Sequence, residues 1–89
     1  MISREVTIIN RLGLHARAAA RFVTLASGFE SEIRVGRDNN RVNGKSIMGI
    51  MMLAAAKGTV LTITATGSDE ADALDQLEAL VKDRFGEED

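Results

Sequence analysis

One histidine, an arginine two residues on, and a serine ahead of an apolar run are the residues of this 89-residue chain whose types and spacing could do chemistry. His15 stands in Gly13-Leu14-His15-Ala16-Arg17, where a break in the chain gives way to an alanine-rich run. The run has helical composition, so the imidazole falls at or near a helix N-cap. There the N–H groups of Ala16 and Arg17 have no intrahelical acceptor and point at whatever sits beside the ring. An anion at that place is favoured by the donors and by the helix dipole. A neutral ring nitrogen is a competent nucleophile near neutral pH, and the Arg17 guanidinium has a fork suited to phosphate oxygens. Nucleophile, anion cradle and cation within three residues are the parts of a phosphoryl acceptor. The plainer alternative is a capping surface histidine beside solvated arginines. One histidine makes no metal site, and no second ionisable group is clearly paired with it in the sequence, so neither metal binding nor acid–base work is expected.

Ser46 is the second candidate. It follows Gly44-Lys45 and precedes a run of apolar residues, a position suited to an N-cap, and on chemistry alone its role is structural.

Hydrophobic periodicity outlines the elements that position these groups. Residues 2–9 alternate, with Ile2, Arg4, Val6 and Ile8 on one face, which predicts a strand. Residues 16–27 predict a helix with Ala16, Ala19, Val23 and Ala26 on one stripe, Phe22 beside it and Gly28 as its C′ residue. A hairpin follows, with strands at 32–37 and 41–43 around Asp38-Asn39-Asn40. Residues 47–56 suit a short buried strand or a helix. The flanking Ser46, the internal Gly49 and the closing alanines favour a helix, with Ile50, Leu53 and Ala54 toward the sheet and Ile47, Met48 and Met51 partly outside. In residues 59–66, Leu61, Ile63 and Ala65 oppose a face of threonines, so a strand with one watered face is expected. Residues 69–85 predict the longest helix, built on Leu74, Leu77 and Val81 and widened by Ala73, Leu80 and Phe85. Gly86 closes it, and Glu87-Glu88-Asp89 is expected to fray. The expected fold class is therefore α+β, in the order β-α-β-β-α-β-α. It is an open-faced two-layer sandwich, a four-stranded antiparallel sheet with three helices on one face, formed by residues 1–89 as a single domain.

Composition narrows the function. Without cysteine, disulfides, thiolate chemistry and cysteine-ligated zinc are excluded. With no apolar run of membrane-spanning length and Glu5 where a signal peptide needs an apolar segment, the expectation is a cytoplasmic protein with no membrane insertion. Residues 1–45 carry eight Lys/Arg against four Asp/Glu, whereas residues 46–89 carry three against nine. That asymmetry suits a negatively charged ligand or partner. A nucleic-acid module would have to use the threonine face with Arg34, Arg37 and Arg41. The three aromatics, all Phe, and the acidic second half count against it, so no nucleic acid is expected as a partner.

Gly13-Leu14-His15-Ala16-Arg17-Ala18-Ala19-Ala20, together with Asn43-Gly44-Lys45-Ser46-Ile47-Met48-Gly49, Met51, Leu53 and the final acidic-headed helix, resembles the HPr family along essentially the whole chain. These are the histidine-containing phosphocarriers of the bacterial phosphotransferase system. Where the family pattern has a proline after the arginine, this chain has Ala18, which removes a preset φ near the helix start but no functional group. The resemblance implies a phosphoryl carrier rather than an enzyme. His15 Nδ1 would take its phosphoryl group from phosphorylated enzyme I and give it to the A domain of an enzyme II, with Arg17 and the Ala16 amide stabilising the phosphate. It further implies regulatory phosphorylation of Ser46 by an HPr kinase/phosphorylase. The implied docking patch comprises Ile47, Met48 and Met51 rimmed by Arg11, Arg17, Arg21 and Lys45. No cofactor or metal is implied, and a monomer is expected, because one patch must meet successive partners. A carrier of the nitrogen or regulatory branch is the nearest alternative. A copy kept for Ser46 signalling alone is argued against by the presence of His15.

Overall fold

The computed structural model describes residues 1–89. Its elements are β1 (Ile2–Thr7), α1 (Ala16–Ser27), β2 (Glu32–Arg37), β3 (Asn40–Asn43), α2 (Ile47–Met52), β4 (Val60–Thr66) and α3 (Glu70–Lys82), with a 3-10 turn at Arg84–Gly86. The strands form one antiparallel sheet in the order β1-β4-β2-β3, with the three helices on one face.

Period-two alternation sets the register. Val6 lies opposite Leu61 and Val35 opposite Ile63, so the apolar positions of three strands share the covered face. Arg4 belongs to that face of β1 by parity. It meets α3 at the sheet edge, where Nη1 reaches Asp75 Oδ1 at 2.6 Å and Glu78 Oε1 at 3.1 Å. Thr62 and Thr66 meet water on the open face, but Thr64 is buried, with its hydroxyl 2.8 Å from that of Ser3.

The helices differ from the sequence expectation in instructive places. α1 buries Ala18, Ala19, Phe22 and Ala26, while Ala16 is exposed and Val23 only half-buried. The stripe is thus rotated toward Ala18 and Phe22, because the bulkiest apolar side chain takes the centre. Gly28 keeps a right-handed φ of −77°, so it is not a left-handed C′ residue. α2 ends at Met52 rather than Ala56, because Ala54 takes a positive φ of 49°. Arg37 Nη1 donates to the carbonyls of Leu53 (2.8 Å) and Ala54 (2.9 Å), satisfying oxygens that a longer helix would have used itself. Ile50 and Leu53 face the core as expected, but Ala54 is exposed and Ala55 takes its place inside.

α3 stops at Lys82, short of the expected 85, and Arg84, Phe85 and Gly86 all have positive φ, at 56°, 55° and 80°. A non-glycine residue there costs about 1–2 kcal/mol. The reversal turns the Phe85 ring fully into the core, and the Arg21 guanidinium donates to the Phe85 carbonyl. The residues beyond it do not fray: Asp89 O accepts from the Arg11 amide at 2.9 Å.

Candidate functional site

The segment leading into α1 is held from two sides. Gly13 has φ 67°, and a Cβ there would lie 2.5 Å from Ala55 O, so only glycine lets the backbone run this close. The next amide, that of Leu14, donates to the same Ala55 carbonyl at 2.9 Å. The early end of α2 therefore anchors the start of α1. His15 follows as the N-cap, with extended backbone, and its carbonyl accepts from Ala19 N at 2.8 Å.

The ring presents its two nitrogens to different neighbours. Nδ1 accepts from the Arg17 amide at 3.3 Å, facing the first free N–H groups of α1. Nε2 meets Glu87 Oε2. The side chain keeps 28% of its surface accessible, enough for a partner to reach. A cleft of about 580 Å³ opens beside it, and Arg11, Ala16, Arg17, Glu87 and Glu88 share its walls.

The remaining predicted residues lie in distinct settings. Arg11 and Arg17 are exposed in this cleft. The Arg21 guanidinium is committed to the Phe85 carbonyl, and the Lys45 ammonium is held by the Phe29 carbonyl at 2.7 Å. Ser46 is the N-cap of α2, its hydroxyl accepting from Gly49 N at 3.1 Å. α2 packs on α1 and leaves Ile47, Met48 and Met51 exposed, joined by Met52 and Leu12, which the sequence reading did not include. Ala18, where the family pattern has proline, is fully buried in the first turn of α1.

Two residues at the site escaped the sequence reading. Asn10 is fully buried, and its Nδ2 donates to Gly13 O (2.9 Å) and to Glu87 Oε1 (2.8 Å). Glu87 thereby spans Asn10 and His15. The Asn10 amide foremost, then the His15 ring and the Arg21 guanidinium, hold the Glu87 carboxyl below its ordinary value against partial burial. No local pattern marks Glu87, since it and His15 are 72 positions apart, and Asn10 reads only as part of the break that ends β1.

A second depressed carboxyl stabilises the fold at a distance. Asp69 accepts from the Ser31 hydroxyl and from the amides of Glu30 and Ser31, each at 2.9 Å, and the hydroxyl foremost lowers its pKa. Near their ordinary values, Asp69 and Glu87 bind fewer protons folded than unfolded. Their stabilisation is thus complete above those values and is lost as pH falls through the lowered ones. Urea midpoints across a pH series are expected to drop in that acid range, and less steeply in Asp69→Asn. An unchanged acid slope in that variant would contradict the assignment.

Comparison with known proteins agrees with this geometry. A family profile described as "PTS HPr component phosphorylation site" matches residues 2–83. The chain belongs to the HPr family. Among relatives, the phosphocarrier protein HPr of Neisseria meningitidis is 54% identical over 87 residues, covering 98% of each chain. The crystal structure of HPr-C-His from Thermoanaerobacter tengcongensis superposes with a TM-score of 0.95 at 49% identity, covering 99% of both chains. A structure of an HPr dimer from the same organism has a TM-score of 0.79 at 48% identity, covering 98% of this chain and 100% of that one. This HPr-family chain is a phosphocarrier of the phosphotransferase system, and the regulatory-branch alternative is not favoured. No helix is long and apolar enough to cross a membrane.

Proposed function

We propose that His15 Nδ1 accepts a phosphoryl group from phosphorylated enzyme I and passes it to the A domain of an enzyme II. The observation that carries this reading is the direction of Nδ1, toward the Arg17 amide at the mouth of α1. An oxygen on a phosphorus bonded to Nδ1 lies within reach of the Arg17 amide that already points there, with the Ala16 amide in the same first turn of α1. The exposed Arg17 and Arg11 supply positive charge without a covalent bond, so the N–P bond stays transferable. In this reading the chain is a carrier rather than an enzyme, a single cytoplasmic domain that binds no nucleic acid. Two of the arginines a nucleic-acid face would need are otherwise engaged, Arg34 with Glu32 at 2.7 Å and Arg37 with the carbonyls after α2. The relay favours a monomer, because Ile47, Met48, Met51 and their basic neighbours, Arg21 and Lys45 among them, must meet each partner in turn. The direct test is transfer of labelled phosphate from phosphoenolpyruvate through enzyme I. Acid-labile label on the chain is expected, and its absence would refute the relay.

Ser46 is proposed as the regulatory position, modified by an HPr kinase/phosphorylase. A phosphate there sits at a helix N-cap, which tolerates negative charge, and adds about −1.5 to −2 charges beside the exposed methionines. Ser46→Asp is expected to keep stability within about 0.5 kcal/mol, since aspartate caps as well as serine. Acceptance from enzyme I is expected to slow roughly tenfold or more through like-charge repulsion at the interface. Stopped-time labelling showing the parent rate would exclude this control.

A further inference from the structure

We infer that Glu87 is a positioning residue for phosphoryl acceptance, its carboxylate holding the His15 ring with the proton on Nε2 and the lone pair on Nδ1. The inference rests on the assignment of His15 Nδ1 as acceptor and extends it to the other side of the ring. A carboxylate can only accept a hydrogen bond, so Nε2 beside Glu87 Oε2 carries the hydrogen. On the opposite edge, Nδ1 accepts from the Arg17 amide, which requires a lone pair there. Both contacts therefore select the same tautomer, the one that can attack through Nδ1.

Glu87 is itself held in place. Its second oxygen accepts from Asn10 Nδ2 at 2.8 Å, and the same nitrogen donates to Gly13 O at 2.9 Å. Asn10 is fully buried, so its amide is a rigid support and links the carboxylate to the loop that sets His15. From the other direction, the positive-φ turn through Phe85 and the bond from Arg11 N to Asp89 O fix the course of the backbone around Glu87.

The charge balance of transfer gives the carboxylate a second use. The Nδ1 lone pair forms the new N–P bond as the bond from phosphorus to the donor atom breaks, and that electron pair leaves with the donor. Nε2 keeps its proton, so the ring gains one positive charge, and that charge appears beside Glu87 Oε2. On delivery the same pair returns to Nδ1, and the ring becomes neutral without any proton having moved. Electrostatic stabilisation of charge that develops only during transfer accelerates the step itself, not the encounter.

Glu87→Gln and Glu87→Ala test this in the full chain, with Glu5→Gln on the open sheet face as a control for net charge. At saturating phosphorylated enzyme I the acceptance rate is expected to fall about tenfold in both Glu87 variants, the factor carried by one hydrogen bond to a charged group. The half-saturating concentration is expected to stay at the parent value, and Glu5→Gln at the parent rate. In ¹⁵N-labelled protein the His15 Nε2–H resonance is expected to be observable in the parent and lost to solvent exchange in Glu87→Ala. A parent-like rate, a faster rate, or a slower rate with the Nε2–H signal unchanged would each overturn the inference. Should the parent itself take no label on His15, the acceptor assignment falls instead, so the two failures are distinguishable.

Discussion

His15→Ala is expected to accept no phosphoryl group, a loss of at least about a thousandfold, while the chain stays folded. No other group there can form the same bond. The chain has no second histidine and no cysteine, the guanidinium groups sharing the cleft are not nucleophiles, and the Glu87 and Glu88 carboxylates would give acyl phosphates instead of the acid-labile phosphoramidate of a ring nitrogen. The structural penalty is small by comparison. The ring is an N-cap acceptor for the Arg17 amide at a long 3.3 Å, and removing such a cap costs about 1 kcal/mol. That amide is exposed once the ring is gone, so water can take the lost acceptor's place. The measurement is acid-labile label from phosphoenolpyruvate and enzyme I beside a urea melt of the same preparation. Label that persists in the variant would move the acceptor elsewhere. A variant that fails to fold would show that the ring serves the fold more than its partly exposed setting implies.

Phe85→Ala is expected to have the largest effect on stability, about 3–5 kcal/mol, in the range for emptying a buried aromatic position. The ring is fully buried and lies beyond the end of α3, where the backbone has positive φ at two successive non-glycine residues. Burial of the ring offsets the cost of that conformation. Alanine would keep the unfavourable φ and lose the compensating contact. For a domain whose whole stability is about 5–15 kcal/mol, this is a large share. The effect should reach the site as well, because the same turn carries the carbonyl that Arg21 holds and leads directly to Glu87. The urea midpoint and slope measure it. A loss below about 1 kcal/mol would mean the core closes without the ring.

Much of this architecture is legible in the chain as written, and for a common reason. The alternation of Leu61, Ile63 and Ala65 and the Leu74-Leu77-Val81 stripe depend on neighbours one turn or two residues away, so periodicity reports them directly. His15 at a helix mouth is equally local, since a cap is defined by the residues beside it. The misreadings fall where distant side chains intervene. Arg37 takes the carbonyls that would have extended α2, which exchanges Ala54 for Ala55 in the core. Phe85 looks like one more turn of α3, yet it is reached through a reversal that no run of residues announces.

The amino-acid order by itself determined which segments become strands and helices, and that the one imidazole begins a helix two residues before an arginine. Only the folded chain decided what meets the far side of that imidazole. Asn10 and His15 share the loop between β1 and α1 whereas Glu87 lies beyond α3, and closing the sheet against its helices brings their polar atoms within bonding distance. Periodic patterns record burial along an element. Contact between side chains 72 positions apart depends on the path of every element between them.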